Sequence, residues 1–458
     1  MLEVSREVPE QQSSTLFIQR SPQEGSIGRN VLGVEVSTSS RRGKINKALI
    51  ESGHSISSTR ETQIPGTDIS RGIVERFERG ELFRSYTRFK RDIKAAEKQG
   101  KDATSLREEF KEFREKSTDF KKKLDVLNRQ FYPYPNDWDR VHVKDSKLGE
   151  HNIPVVTLDL HSSKEGENDE RTPYFLVPTY IANPYQVAFF AMSLALEGQR
   201  VHVMTYPEKY KMSGSSPEWL DVVKDEGRLT LAPYAKLAEK IIDNMGLQSV
   251  NLVGTSMGAA VALEMAQDQE FSDKINDLIV VDPPSLVKRN SSKYALYDFG
   301  FKEGVIQALD REKRIKGAQS ERPDLGATMG RVGGWFEAHF LWAPMLAKAQ
   351  ITKEKISKIN PKGKFQVWVG EESAVTGEAT KKVLLEAERQ RRIELPDSQP
   401  MKLIVVKGAH HLTLLSRLGV ASVITQKQDS EETIVNIDEK DLIHSGAQAI
   451  TTNHYTSN

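Results

Sequence analysis

Apolar positions change their spacing three times along the chain. Through residues 1–67 single hydrophobes are scattered among Ser, Thr, Gln, Gly and charge, with no sustained period. Such a stretch buries too little apolar surface to offset chain entropy, and a disordered tail is expected. From Asp68 the composition shifts to Lys, Arg, Glu and Phe. Ile69, Ile73, Phe77, Phe83, Tyr86, Phe89 and Ile93 form a loose helical stripe. Leu106, Phe110, Phe113, Ser117, Phe120, Leu124, Leu127 and Phe131 then recur in steps of four and three, a heptad seam. Gln99-Gly100-Lys101-Asp102 interrupts the two, and Thr104 with Arg107 and Glu108 suits a new helix start. The region 68–138 is therefore predicted to be a coiled-coil-like helical hairpin. Its seam can dock on the following domain or serve self-association through residues 68–131.

Beyond residue 138 the pattern becomes short β-rich runs alternating with helical stretches. Strands are predicted at Arg140–Lys144, Pro154–Leu160, Tyr174–Val177, Arg200–Thr205, Ser249–Val253, Leu278–Asp282, Phe365–Val369 and Leu403–Val406. Helices are predicted at Tyr185–Leu196, Pro233–Met245, Ala259–Gln267 and Glu378–Arg391. Near-continuous apolar strands joined by helical crossovers imply a parallel sheet buried on both faces. The count is eight strands, the first two antiparallel and the rest parallel. Core segments at 139–282 and 360–423 flank an insertion at 283–359 that carries Trp335, Phe336, Phe340 and Trp342. A long, partly apolar insertion needs something to cover, and a cap is expected. Residues 424–458 read as a polar tail.

Composition narrows the chemistry. Hydrophobic residues make up 38% and charged residues 28% of the 458, and the net charge is only +1, so no global field favours nucleic acid or an anionic membrane. Cysteine is absent, which removes disulfides, thiolate metal sites and a cysteine nucleophile. The first residues lack the basic-then-apolar order of a signal peptide, and no run approaches ~18 apolar residues. A cytoplasmic protein with no membrane span is the expectation. No His-x-x-x-His pair, phosphate-binding loop or dinucleotide fingerprint is present, so neither metal nor organic cofactor is expected.

The most specific motif is Val-Gly-Thr-Ser-Met-Gly at 253–258, a Gly-x-Ser-x-Gly turn between an apolar strand and a helix rich in small residues. Glycines at 254 and 258 relieve the crowding of a chain that reverses sharply over Ser256, leaving its hydroxyl exposed for attack. A base is also needed. Of ten histidines, only His410 and His411 lie just past a strand near the end of the domain, in Val-Val-Lys-Gly-Ala-His-His.

This serine turn after the fifth strand, with histidines after the last, resembles the α/β-hydrolase family over roughly residues 139–420. The resemblance implies an α/β sheet with a helical cap and a serine nucleophile, Ser256. It aligns Gly408 with the first glycine of the family's Gly-x-Gly-His, placing the base at His411, with His410 as the alternative. An orienting acid follows the seventh strand in the family, commonly as Gly-x-x-Asp, which falls on Ser373 here. The nearby glutamates make Glu372 the first choice, with Glu371 and Asp282 as alternatives. The oxyanion donors implied are the backbone amides of Met257 and Tyr180, although Pro178-Thr179 replaces the usual His-Gly. Leu-Val-Pro-Thr-Tyr-Ile-Ala-Asn-Pro-Tyr and the following strand are similar to polyhydroxyalkanoate synthases and depolymerases over about forty residues. That similarity brings hydroxyacyl esters among the substrates.

The function expected is cleavage of a small-molecule carboxylic ester or thioester through an acyl-serine intermediate. Epoxide and haloalkane hydrolysis need a carboxylate where Ser256 stands. The alternatives are acyl transfer, or a catalytically degenerate scaffold that binds a partner.

Overall fold

The computed structural model describes residues 86–131 (88 excepted), 138–160, 171–179, 188–207, 222, 224–225, 228–289, 293, 343–411 (349 excepted) and 433–438. All belong to one compact unit spanning Ile64–Asn458. The predicted tail at 1–67 and the cap aromatics Trp335, Phe336, Phe340 and Trp342 lie outside the described residues.

Among the described residues nine strands make one sheet: β1 (Asp139–Asp145), β2 (Gly149–Leu158), β3 (Tyr174–Val177), β4 (Val201–Met204), β5 (Val250–Thr255), β6 (Ile275–Val281), β7 (Phe365–Gly370), β8 (Met401–Lys407) and β9 (Ile434–Asp438). Their order across the sheet is β1-β2-β4-β3-β5-β6-β7-β8-β9. β2 runs antiparallel to both β1 and β4, and every other pairing is parallel. The eight predicted strands are all present. The ninth falls in the segment read as a polar tail. It escaped notice because Val435 and Ile437 pack partly against the core while Asn436 alternates with them, and an edge strand of five residues leaves only that faint period.

Side chains alternate across the sheet as the pleat requires. Phe175 and Val177 of β3 face one core while Tyr174 and Leu176 face the other. Leu278 and Val280 of β6 likewise oppose Ile279 and Val281. The first core is covered by α3 (Ala232–Asn244), α4 (Met257–Met265), the short α5 (Gln269–Ser272) and α8 (Gly377–Glu394). It also takes Met345, Ile351, Ile356 and Ile359, so the end of the predicted insertion is sheet packing rather than cap. The short helices α6 (Ala343–Leu346) and α7 (Lys353–Ile356) carry Met345 and Ile356, and Ile351 and Ile359 lie in the turns beside α7.

The second core receives α2 (Ala188–Leu196) and the long α1 (Thr104–Phe131). Residues 86–87 and 89–98 are helical and fold back on α1, with Phe89 5.3 Å from Phe113 and Tyr86 5.2 Å from Phe110 between ring centroids. Gly100 turns the chain at φ 65°, and Asp102 Oδ1 accepts from both the N–H and the hydroxyl of Thr104. Along the heptad seam, Phe113, Phe120, Leu124, Leu127 and Phe131 are buried against the sheet and the returning helix. Over these residues the seam is occupied within the chain.

Candidate active site

The ends of four neighbouring strands converge on one side chain cluster. β5 delivers Ser256, β6 delivers Asp282, β7 leads into a turn at 373–376, and β8 leads to His411. In a parallel sheet these carboxyl ends open on the same edge, which lets residues far apart in sequence meet.

Ser256 sits between β5 and α4 with φ 52° and ψ −120°. A left-handed conformation in a residue with a side chain is strained, and such strain persists only where neighbours hold it. The neighbours here are backbone. Ser256 N–H donates to Val281 O at 2.8 Å, and Ser256 O accepts from Ala259 N at 2.9 Å. A Cβ on Gly254 would lie 2.2 Å from Gly258 O, and one on Gly258 would lie 2.1 Å from Val177 O. Both glycines are thus required by close backbone approach, and Gly258 lets α4 press against the end of β3. Among the described residues the non-glycine positions with positive φ are Ser256, Asp282 and Ser285, so strain gathers around this cluster.

His411 is buried, with Nε2 2.9 Å from Ser256 Oγ. Its Nδ1 makes a short hydrogen bond to Asp282 Oδ2. Asp282 is fully buried and takes three further bonds. The Ser373 hydroxyl donates to Oδ2 at 2.6 Å, the Thr376 hydroxyl to Oδ1 at 2.6 Å, and the Gly370 N–H to Oδ1 at 3.3 Å. Burial alone would raise the carboxyl's pKa. The His411 hydrogen bond and charge, with the two hydroxyls, outweigh it and hold Asp282 below the ordinary aspartate range. An ionised carboxylate only accepts, so the proton on His411 belongs on Nδ1 and the lone pair of Nε2 faces Ser256.

The glutamates have other partners. Glu371 Oε2 accepts from the Gly408 N–H at 3.1 Å, and Glu372 Oε2 lies 2.9 Å from His410 Nε2. Their own amides donate to Val406 O and Ala409 O. Glu371 and Glu372 therefore lace the turn after β7 to the turn after β8. The structure brings Asp282, not Glu372, to His411, and turns His410 away from Ser256 toward Glu372. A glutamate next to a strand end can reach several groups, and the local pattern does not say which. Met257 is the first residue of α4, so its N–H has no acceptor within the helix and lies at the positive end of the helix dipole. Tyr180 lies outside the described residues.

Sequence reasoning did not single out the hydroxyls of Ser373 and Thr376 as donors to the acid. Their signal was a Ser-x-x-Thr turn directly after a strand, where the Ser373 hydroxyl also accepts from the amides of Val375 at 3.1 Å and Thr376 at 3.3 Å. Among the described residues no group of three or more His, Asp and Glu is placed to hold a metal ion, and no helix is long and apolar enough to cross a membrane.

Comparison with known proteins bears on the whole architecture. The sequence profile of the alpha/beta hydrolase fold matches residues 178–322, about a third of the chain. No curated protein matches the sequence. Among solved structures the chain is similar to a membrane phospholipase A described as a bacterial virulence factor, at 14% identity and TM-score 0.43 over 66% of this chain and 89% of that one. It is similar to a thermophilic esterase from Thermogutta terrifontis at 17% identity and TM-score 0.41, over 62% and 96% of the two chains. It is also similar to carboxylesterase CesB from Bacillus subtilis at 15% identity and TM-score 0.39, over 68% and 97%. With β2 reversed in an otherwise parallel sheet, β3 and β4 exchanged in order, and a matching profile across its middle, the chain has the α/β-hydrolase fold.

Proposed function

We propose that the protein is a serine hydrolase that cleaves a carboxylic ester or thioester through an acyl-serine intermediate. One observation carries the reading: Ser256 Oγ lies 2.9 Å from the nitrogen of a histidine whose other nitrogen is held by a buried carboxylate. In this reading His411 Nε2 takes the Ser256 proton as Oγ attacks the substrate carbonyl. The new C–O bond leaves a tetrahedral oxyanion, which accepts from the Met257 N–H. Collapse breaks the bond to the alcohol or thiol, and His411 returns the proton to that leaving group. Water, deprotonated by the same imidazole, then attacks the acyl-Ser256 ester and releases the carboxylic acid. Asp282 fixes the tautomer and stabilises the imidazolium in both halves, the role that sequence alone favoured for Glu372. Acyl transfer uses the same first half and differs only in admitting an alcohol in place of water.

A fluorophosphonate probe with a panel of p-nitrophenyl acyl esters of graded chain length tests this. Wild type should label and turn over esters, while Ser256→Ala and His411→Ala should do neither. A wild-type protein whose Ser256 stays inert to the probe would instead be a scaffold on a hydrolase core.

A further inference from the structure

Asp282 is held by a turn, and that turn is itself held from outside. Ser373 and Thr376 supply the two hydroxyls on the carboxylate. The carbonyls of the same turn point the other way and meet one side chain. Arg289 Nη1 donates to Ala374 O at 2.6 Å, and its Nη2 donates to Thr376 O at 2.9 Å. Its own backbone N–H donates to Ala347 O at 2.7 Å. Nearby, the Ser285 hydroxyl donates to Leu346 O at 3.1 Å and Ser285 O accepts from Ile351 N at 3.2 Å. Arg289 therefore stands where the chain leaving β6 is pinned to the chain returning at 346–351. It extends from there a planar fork across two carbonyls of the acid's turn.

We infer that Arg289 is a positioning residue for the reaction: it sets the 373–376 turn, and through the Ser373 and Thr376 hydroxyls it sets the orientation of Asp282 against His411. The inference rests on the serine-hydrolase reading above. Its chemistry is geometric. Two parallel N–H bonds from one rigid plane fix both the position and the rotation of a short turn, whereas a lysine's single nitrogen fixes position only. A turn that is free to rotate moves both hydroxyls together, and the carboxylate they hold follows. Misplacement of a catalytic group by ~1 Å costs on the order of a hundredfold in rate. Arg289 touches no reacting atom, so the loss should fall on the chemical step and leave substrate binding alone.

The test uses the full chain with a p-nitrophenyl ester that wild type hydrolyses. Arg289→Ala should lower kcat by about ten- to a hundredfold with KM unchanged. Arg289→Lys should fall between the two, and millimolar methylguanidinium should restore part of kcat to Arg289→Ala but none to Asp282→Asn. A folded Arg289→Ala with wild-type kcat overturns the inference. So does a kcat loss that methylguanidinium does not relieve and Arg289→Lys does not lessen, which would mark a general packing role. If Arg289→Ala fails to fold, Arg289→Lys and Arg289→Gln carry the same kcat-against-KM comparison. Wild type that neither labels nor turns over would defeat the hydrolase reading itself, a result distinct from all of these.

Discussion

Two aspartates are buried at opposite edges of the same sheet, and they differ in what opposes their charge. Asp282, at the carboxyl end of β6, faces an imidazole, two hydroxyls and an amide. Asp159, just past β2 at the edge where the parallel strands begin, faces two guanidinium groups. Arg200 Nε lies 2.9 Å from its Oδ2 and Arg171 Nη2 lies 3.3 Å from its Oδ1. Its backbone exchanges two bonds with the Gln130 side chain near the end of α1, at 2.9 and 3.1 Å. The cations on Asp159 are permanent, so its charge is held by arginines just before β3 and β4, while its main chain fastens α1 to the sheet through Gln130. None of these partners on Asp282 is a permanent cation, and its ionisation is favoured first by the hydrogen bond and charge of His411 and then by the two hydroxyls. That leaves a net negative charge to meet an imidazolium only when one forms. A buried carboxylate is suited to catalysis when its countercharge is transient.

Exchanging each for its amide should separate the two roles. Asp282→Asn should lower kcat by about 10⁴-fold, because the amide permits the wrong His411 tautomer, while wild-type geometry survives in a crystal structure. Its cost in stability should follow pH in a defined direction. The folded-state pKa of Asp282 lies below the ordinary 3.8, so its ionised form contributes stability above that value and loses it as pH falls through the lower folded value. Thermal melts of wild type and Asp282→Asn should therefore converge in acid and differ at neutral pH. Asp159→Asn should leave kcat within a few-fold and lower stability instead. Removing one partner from a fully buried pair costs ~3–5 kcal/mol, and with Arg171 and Arg200 about one-third exposed the expected loss is on the order of 2 kcal/mol. Urea melts read that figure. A kcat loss in Asp159→Asn comparable to that in Asp282→Asn would dissolve the distinction.

What was legible in the sequence divides along similar lines. The serine turn announces itself locally, since Gly254 and Gly258 are demanded by backbone contacts within a few residues or one strand away. The histidine announces itself by following a strand, and only one such pair exists in this part of the chain. The strand pattern is equally plain because parallel strands buried on both faces are apolar throughout. The partner of His411 is a different kind of fact. Asp282 and Glu372 both end strands, and choosing between them requires knowing which carboxylate the 373–376 turn points its hydroxyls toward. That depends on the register of β6 against β7, where Asp282 N–H bonds Trp368 O at 2.7 Å. No spacing in the sequence encodes it. The heptad seam was legible as a helix, but its destination was not. The same apolar stripe suits a second helix or a sheet, and here both cover it.

Two weaker substitutions sharpen the contrast. Glu372→Gln removes the charge opposite His410 but keeps an acceptor, so kcat should change by less than about tenfold, in steady-state assays at pH 7. A loss nearer that of Asp282→Asn would return the acid's role to the turn after β7.

The smallest effect at neutral pH belongs to a second buried histidine among the described residues. His202 on β4 has Nδ1 2.9 Å from the Thr157 hydroxyl, and its Nε2 has no hydrogen-bond partner among the described residues. Desolvation, with Arg200 nearby, pushes its pKa down to about 4, against 6.5 for an unburied histidine. Among the described residues no carboxylate bonds it as Asp282 bonds His411, and the more remote charge of Asp159 does not offset burial. It is neutral in the folded protein at pH 7 and takes up a proton more readily once unfolded. Stability tied to it is complete above pH 6.5 and declines as pH falls through 4. His202→Gln, which does not titrate, should match wild type at pH 7 to within about 1 kcal/mol. It should also flatten the fall in Tm between pH 6.5 and 4. An unchanged slope would mean that His202 gains a countercharge as it protonates. Burial alone would then not separate the inert histidine from the one beside Ser256.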